Sequence, residues 1–213
     1  MVVREGEEMS FRFTDHDKRF GPLLDGTAFN DLPRKNVPVD AFYLPLNENW
    51  PVDVNAAYRG SYWADEALGS EYWRGFSQAA GAFASHIQSR GWRDTIFECY
   101  LNNKVFHKQA GWSNGSALWV FDGPINTQDC WALRCFGIAF NDGVRQALRH
   151  EAQLAKIAFR ADISRPQWQR DLLDGVIGVN VVGGGIGRYA RTVLDRKHRH
   201  GEVTYAYGGS SGV

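Results

Sequence analysis

Short apolar segments alternate with longer amphipathic segments along most of the chain, and this pattern predicts its secondary structure. Apolar runs of about four to eight residues between turn residues are typical of buried strands, whereas apolar positions at helical spacing indicate helices. The predicted strands are Ser10–Thr14, Ala41–Leu46, Thr95–Leu101, Ala117–Phe121, Lys156–Phe159, Gly175–Val181 and Val203–Tyr207. The predicted helices are Glu71–Arg90, Gln128–Gly143, a short one at Gln167–Leu173, and Ile186–Lys197.

The order of these elements predicts an α/β fold with parallel strands. Residues 15–40 show no clear helical pattern, so we expect a long loop there. Both an open doubly wound sheet and a (β/α)8 barrel fit this order, and both carry their sites beyond the carboxyl ends of the strands. Polar residues follow four of the predicted strands, after Leu46, Leu101, Phe121 and Phe159, which favours the barrel.

The predicted strands number six or seven, and the chain has 213 residues. A typical barrel needs eight strands and about 250 residues. We therefore expect one domain, residues 1–213, that forms an incomplete (β/α)8 TIM-barrel-like fold and is a fragment of a larger protein. An unclosed barrel leaves two strand edges, through which copies of the chain are expected to self-associate.

The amino-acid composition of the chain limits the kinds of molecule that it is expected to bind. The chain is 44% hydrophobic, and its 24 basic residues balance 24 acidic ones, which argues against nucleic acid and an anionic membrane surface as partners. No apolar run approaches the about 20 residues of a membrane helix, and the first ten residues do not form a secretion signal, so we expect a cytoplasmic protein. Aromatic residues make up 14% of the chain, many of them beside turns. Such rings suit a sugar-binding cleft, although ordinary core packing explains any single ring equally well.

Three short motifs resemble ligand-binding sequences but are better explained as ordinary structural features. The glycine-rich segment from Gly183 has Arg188 where the last glycine of a dinucleotide loop belongs, so no cofactor is implied. Asp15-His16-Asp17 predicts a polar loop rather than a metal site, because neighbouring residues seldom converge on one ion. The basic segment from Arg196 to His200 ends a predicted helix and is expected to be solvated.

Two glutamates are candidates for catalysis. Glu98 lies within a predicted strand and shares a face with Ile96 and Tyr100, where a carboxylate is costly unless it is paired or faces a wet cleft. A structural ion pair and a functional role therefore remain equal alternatives. Glu48 follows a strand end within Asn47-Glu48-Asn49-Trp50, a combination of charge, amides and a ring that suits a polyhydroxylated ligand.

Several segments together resemble the barrel domain of the family 123 glycoside hydrolases over nearly the whole chain. They are Phe20-Gly-Pro-Leu-Leu-Asp-Gly-Thr-Ala-Phe29, Phe42-Tyr-Leu-Pro-Leu-Asn-Glu-Asn-Trp-Pro51, Tyr100-Leu-Asn-Asn-Lys104, Trp119-Val-Phe-Asp-Gly-Pro124, and Asn180-Val-Val-Gly183 with Tyr207-Gly208. The resemblance implies a (β/α)8 barrel that hydrolyses N-acetylhexosaminides with retention and with assistance from the substrate. In this scheme an Asp holds the acetamido N–H and an adjacent Glu protonates the leaving oxygen.

Asp122 matches the first member of that pair, and Gly123 stands where the second belongs. The resemblance therefore implies a glycoside hydrolase whose acid comes from elsewhere, with Glu98 and Glu48 as candidates. One alternative is a degenerate barrel that binds carbohydrate without turnover, and another is that Asp122-Gly123-Pro124 is only a turn. The expected substrate-binding residues are Asn47, Trp50, Asn103, Lys104, Asp25 and Trp112.

Overall fold

The protein consists of a parallel sheet with helices, preceded by a short hairpin. The computed structural model describes residues 2–5, 8–102, 118–150, 152, 155–163, 169, 171–183 and 185–207. The strands of this part of the chain are β1 (Val2–Glu5), β2 (Glu8–Phe11), β3 (Ala41–Tyr43), β4 (Ile96–Tyr100), β5 (Lys156–Asp162), β6 (Val179–Val182) and β7 (Val203–Ala206). The helices are α1 (Thr14–Leu24), α2 (Val54–Ala57), α3 (Ala64–Ala67), α4 (Ser70–Arg90), α5 (Thr127–Leu148) and α6 (Ala190–His200), with 3₁₀ turns at Thr27–Phe29 and Ile186–Tyr189.

Strands β3 to β7 form one parallel sheet, and their order in space is their order along the chain. Parallel neighbours need crossover connections, and α4, α5 and α6 lie in the connections from β3 to β4, β4 to β5 and β6 to β7. The sheet curls into a half-barrel. The predicted α/β class and parallel strands are confirmed, and the half-barrel is consistent with the predicted incomplete barrel.

The two faces of the sheet differ because side chains alternate along each strand. One face, which we call the helix face, carries Phe97 and Phe159, both fully buried. The ring centroid of Phe140 on α5 lies 5.9 Å from that of Phe159. The ring centroids of Phe76 on α4 and Phe136 on α5 are 5.1 Å apart. The main core therefore lies between the helix face and the helices. The opposite face, which we call the concave face, carries the alternate residues.

Helices α4 and α5 approach each other closely at two glycines. A Cβ atom at Gly143 would lie 2.1 Å from the carbonyl oxygen of Ser77, and one at Gly81 would lie 3.0 Å from the carbonyl oxygen of Gly143. The start of α5 is fixed by Asn126, whose side chain accepts a hydrogen bond from the Asp129 N–H at 2.8 Å. Small residues thus set the distance between the two helices that cover the sheet.

The loop predicted for residues 15–40 is wrong, because helix α1 occupies its first part. The misleading signal is local: Gly21 and Pro22 usually interrupt helices, yet here they lie in the last turns of α1, just before its end at Leu24. The strand predicted at Ala117–Phe121 is also wrong for its described residues, 118–121. Strand β4 pairs directly with β5 over its whole length and leaves no room for another strand between them there.

Most of the other predicted elements are found with shifted ends. The predicted strand Ser10–Thr14 is the end of β2, and its last residue already belongs to α1. The predicted helix Ile186–Lys197 begins as a 3₁₀ turn and continues as α6. The short helix predicted at Gln167–Leu173 is not found as an α-helix in its described residues, because residue 169 is in a 3₁₀ conformation and residues 171–173 form a turn. Among the described helices, none is long and apolar enough to cross a membrane.

The basic end of α6 is not uniformly solvated, contrary to the prediction. Arg196 is only 5% exposed, and its Nε donates a hydrogen bond to Glu202 Oε2 at 2.8 Å. Its Nη1 also contacts the carboxylate of Asp174, to which His200 comes within 3.2 Å. These contacts connect α6 to the segments before β6 and before β7.

Candidate functional site

Charged and aromatic side chains converge on the concave face, towards the carboxyl ends of β4 and β5. Residues paired across neighbouring parallel strands point to the same face. The register pairs Tyr43 with Glu98 and Tyr100 with Arg160, and Asp162 follows Arg160 two positions later. These five residues therefore share the concave face, which the alternation of β4 and β5 turns away from the helices.

Arg160 is the centre of this cluster. Its Nε and Nη2 donate hydrogen bonds to the two carboxylate oxygens of Asp162 at 2.7 and 3.0 Å, and Nη1 donates to Glu98 Oε2 at 3.0 Å. Nη1 also contacts the Tyr43 hydroxyl. The guanidinium carbon lies 4.3 Å from the ring centroid of Tyr100 and 5.1 Å from that of Tyr43. One arginine thus holds two carboxylates and lies against two aromatic rings.

Glu98 is the most buried member, with a side chain only 1% exposed. Burial raises the pKa of its carboxyl group, and the hydrogen bond and charge of Arg160 act in the opposite direction. Among the residues that the structure describes, its Oε1 has no hydrogen-bond partner. The ion pair considered for Glu98 from the sequence is therefore present, and the burial of its side chain separates the carboxyl group from solvent.

Asp122 joins the cluster beside Asp162. The two residues form an isolated parallel bridge, in which the Gly123 N–H donates to the Asp162 carbonyl oxygen at 3.0 Å. Burial raises the pKa of Tyr100, and the negative charges of Asp162 and Asp122 raise it further. Two aspartates that are 40 residues apart in sequence thus meet at one bridge.

Asp122 also lies at a turn, because Gly123 has a φ of +73°, in the left-handed region that favours glycine. A turn and a place in the cluster are thus compatible at this position. Asp162 is not among the sequence-predicted site residues, because the predicted strand ends at Phe159 whereas β5 runs three residues further. The signal that could have revealed it is the Arg160-Ala161-Asp162 alternation, which puts two opposite charges on one face of a strand.

Glu48, Asn47 and Trp50 lie at a separate turn after β3. The Glu48 carbonyl oxygen accepts a hydrogen bond from the Tyr72 hydroxyl at 2.6 Å. Burial raises the pKa of Cys99 on the helix face, and the charge of Glu48 raises it further. The side chain of Asn47 accepts a hydrogen bond from the Asn49 N–H at 2.9 Å. This turn lies on the side of the sheet that α4 covers.

Trp50 is packed by other rings rather than presented as an open platform. Its ring centroid lies 6.0 Å from that of Phe11 and 6.1 Å from that of Phe83, in edge-on arrangements. The rings exposed on the concave face are instead Tyr43, 55% exposed, and Tyr205, 36% exposed. Sequence reasoning missed both tyrosines, because only the register of the strands places them beside Glu98 and Arg160.

Asp25 is separated from Asp122 by the length of the sheet. Its side chain accepts hydrogen bonds from the Thr27 N–H at 2.9 Å and the Thr27 hydroxyl at 2.6 Å, and these bonds lower the pKa of Asp25. Because Val39 donates to the Leu23 carbonyl oxygen just before β3, this turn lies near the amino end of that strand. Asn103, Lys104 and Trp112 lie outside the described residues.

Comparison with known proteins adds no relative to these observations: no family model, curated protein or solved structure matches the chain. Function is therefore inferred from the residues of the site and their geometry. A groove of about 900 Å³ lies elsewhere, on the outer side of α4 and α5, between residues such as Trp73 and Ile138. The charged cluster at the carboxyl ends of β4 and β5 brings together groups that are capable of acid–base chemistry, and we take it as the candidate site.

Proposed function

We propose that this protein is a carbohydrate-active protein of the glycoside hydrolase type, and that its half-barrel is part of a (β/α)8 architecture. The observation that carries the proposal is the pairing of Asp122 with Asp162 in a parallel bridge at the carboxyl end of β5. Paired carboxylates are the usual groups that glycoside hydrolases place around a glycosidic bond. The proposed ligand is a glycan or glycoside, with N-acetylhexosaminides as the class suggested by the sequence motifs around Asp122.

The two aspartates have different surroundings and therefore different proposed roles. Arg160 holds Asp162 in place through two hydrogen bonds, and the proposed role of this carboxylate is to accept hydrogen bonds from sugar hydroxyls. Asp122 is half-buried, and its proposed partner is the acetamido N–H of the substrate. That contact would orient the acetamido oxygen for attack on the anomeric carbon, with no covalent bond to the protein.

Exposed rings beside the carboxylates support a sugar ligand. Tyr43 and Tyr205 offer apolar ring faces next to hydrogen-bonding groups, the combination that a sugar ring with one apolar face requires. Tyr205 shares a face of the sheet with Asp162, because the register pairs Asp162 with Val181 and Val181 with Tyr205. In this proposal the sugar packs against the tyrosines and hydrogen-bonds the aspartates.

A second candidate, carbohydrate binding without turnover, is favoured by the burial of the acid candidates. Glu98 has a raised pKa, which suits an acid, but its side chain is only 1% exposed. Glu48 is 3% exposed and lies under α4. Gly123, where the family's acid would stand, has no proton to donate. Without a general acid, turnover is expected to be slow on substrates with poor leaving groups.

Substitutions at Gly123 test the missing acid directly. Gly123→Asp introduces a carboxyl group that tolerates the left-handed conformation better than most side chains, and a Cβ there meets no atom within 4 Å. Gly123→Asn is the matched control, with the same shape and no acid. A general acid contributes about 10²- to 10⁴-fold, so Gly123→Asp is expected to accelerate hydrolysis of poor leaving groups much more than of good ones.

The measurement is hydrolysis of aryl N-acetylhexosaminides with good and poor leaving groups, with saturable binding followed by Trp fluorescence. Asp122→Asn should weaken both readouts, whereas Asp25→Asn, at the other end of the sheet, should leave them unchanged. Binding without hydrolysis in all variants supports the recognition module. Efficient hydrolysis of unactivated substrates by both the parent and Asp122→Asn would falsify the assignment of Asp122, which would then be only a turn residue.

A further inference from the structure

A second cluster of functional groups lies apart from the concave face, where helix α1 meets helix α4. His16 and Asp17 belong to the first turn of α1, and His86 lies near the end of α4, 69 residues after Asp17. The carboxylate oxygen Oδ1 of Asp17 is 2.7 Å from His86 Nε2 and 3.5 Å from His16 Nδ1. Two imidazoles and one carboxylate thus surround a common point.

The spacing of these atoms is that of a metal-ligand set. One ligand atom from each of the three residues lies within 4.8 Å of the other two. A tetrahedral zinc ion with bonds of about 2.0 to 2.2 Å needs ligand atoms about 3.3 Å apart. The separations of 2.7 and 3.5 Å that involve Asp17 fall on either side of this value. The third separation, between the two imidazole nitrogens, is within 4.8 Å, so small side-chain movements would be needed for the three atoms to bind one ion.

The imidazole rings are held in place by aromatic packing. Phe13 stacks on His86 with a centroid distance of 4.0 Å and an interplanar angle of 5°. His16 lies edge-on to Phe83, with ring centroids 5.8 Å apart. The side chains of His16, Asp17 and His86 are 14%, 22% and 15% exposed, so the cluster is neither sealed nor open. An apolar surround with limited solvent access is typical of the shell around a metal site.

The two ring nitrogens of His16 have different surroundings, and Nδ1 is the one that faces Asp17 Oδ1, at 3.5 Å. Nε2 of His16 is buried and has no hydrogen-bond partner among the described residues. Arg90 Nε lies 3.6 Å from the other carboxylate oxygen of Asp17. Arg90 thus lies at the other oxygen of Asp17 and leaves Oδ1 for the imidazoles.

We propose that His16, Asp17 and His86 bind one divalent transition-metal ion of the zinc type, with a solvent molecule as the remaining ligand. The ion would join α1 to α4, which are far apart in sequence. Helix α1 has only 11 residues and contains a glycine and a proline, so a link to α4 would stabilise it. The site is independent of the proposed carbohydrate site: α1 and the end of α4 precede β3 and β4, so the cluster lies towards the amino ends of the strands. The ion would therefore act apart from the carbohydrate site, as a link between α1 and α4.

The test is titration of the full chain with Zn²⁺ after removal of metals by a chelator. Calorimetry should give one strong site, and Co²⁺ in its place should give the visible absorption of a four-coordinate ion. At a hundredfold excess over Kd, ligand linkage predicts a rise in Tm of about 5 to 10 °C. His86→Gln and Asp17→Asn should each weaken binding by at least about 100-fold, the upper range for the loss of an outer-sphere partner.

His198→Gln on the exposed surface of α6 is the matched control and should bind Zn²⁺ as the parent does. Circular dichroism of the metal-free proteins separates lost binding from lost folding. Because His86→Gln and Asp17→Asn lie on different helices, the test still works if one of the two variants does not fold. The proposal is overturned if the parent shows no saturable zinc binding, or if binding survives both His86→Gln and Asp17→Asn unchanged. It is also overturned if His198→Gln alone abolishes binding.

Discussion

Arg160 is the positive charge between the carboxylates of Glu98 and Asp162 on the concave face, and it forms an ion pair with each of them. An arginine between two carboxylates leaves a net negative charge in a partly buried place, where desolvation opposes ionisation. Asp162 has both carboxylate oxygens bound by the guanidinium, whereas Glu98 has only one. Glu98 is therefore the carboxylate on which the cost of desolvation falls most heavily.

This imbalance predicts an unusual pH dependence for Glu98→Gln. The pKa of Glu98 is raised in the folded state, above the ordinary value of 4.5. A raised acid pKa contributes stability that is fully present below the unfolded pKa and is lost as pH rises through the folded pKa. The free energy of unfolding of the parent minus that of Glu98→Gln should therefore fall as pH increases from acid to neutral values.

Urea denaturation of both proteins at several pH values measures this difference. Glu71→Gln, which removes an exposed carboxylate from the first turn of α4, is the control and should show a smaller trend. If the difference instead rises with pH, the attraction of Arg160 outweighs the desolvation of Glu98. The carboxylate would then be an ordinary stabilising partner.

Among the elements, the contact between α4 and α5 depends most on the absence of side chains. Gly143→Ala would place a Cβ atom 2.1 Å from the carbonyl oxygen of Ser77, which cannot move without α4. We expect this substitution to lower the free energy of unfolding by about 1 to 3 kcal/mol, the usual effect of overpacking. Thermal or urea denaturation measures the change.

Gly21→Ala in α1 is the matched comparison, because a Cβ there meets nothing within 4 Å beyond its own helix. Alanine is a better helix former than glycine by about 0.5 to 1 kcal/mol, so this variant should be slightly more stable than the parent. Equal effects of the two substitutions would show that the close approach of α4 and α5 does not limit stability.

In the molecule as a whole, the sheet of the described residues ends at β3 on one side and at β7 on the other. Strands at the ends of a sheet offer backbone groups to other chains. We therefore predict concentration-dependent self-association, and we expect Val203→Lys on β7 to reduce it. Ile138→Lys on α5 is the matched control, since Ile138 is 41% exposed and Val203 is 43% exposed. Sedimentation at several concentrations measures association, and a parent that stays monomeric at all of them contradicts the prediction.

The sequence by itself determined the class of the fold and most of its elements. Helices α4 and α5 and strands β4 to β7 were predictable because apolar spacing within a few residues decides which face of an element is buried. The shared face of Glu98 and Tyr100 was predictable for the same reason. The helical character of α1 was not, because Gly21 and Pro22 are read locally as turn residues, whereas packing of Phe13 and His16 against α4 supports a helix.

Only the tertiary structure decided which distant residues meet. Asp122 and Asp162 come together through a bridge beside β4, and His86 reaches Asp17 through the packing of α1 on α4. Neither meeting leaves a local signal, because each depends on the register of strands or the packing of helices that are 40 to 69 residues apart. Glu48 and Trp50 follow a strand end in sequence and were therefore expected at the site. They lie instead on the side of the sheet that α4 covers. The face on which a side chain lies follows from its local sequence, because side chains alternate along a strand. The meeting of distant side chains follows only from the way in which the strands and helices are assembled.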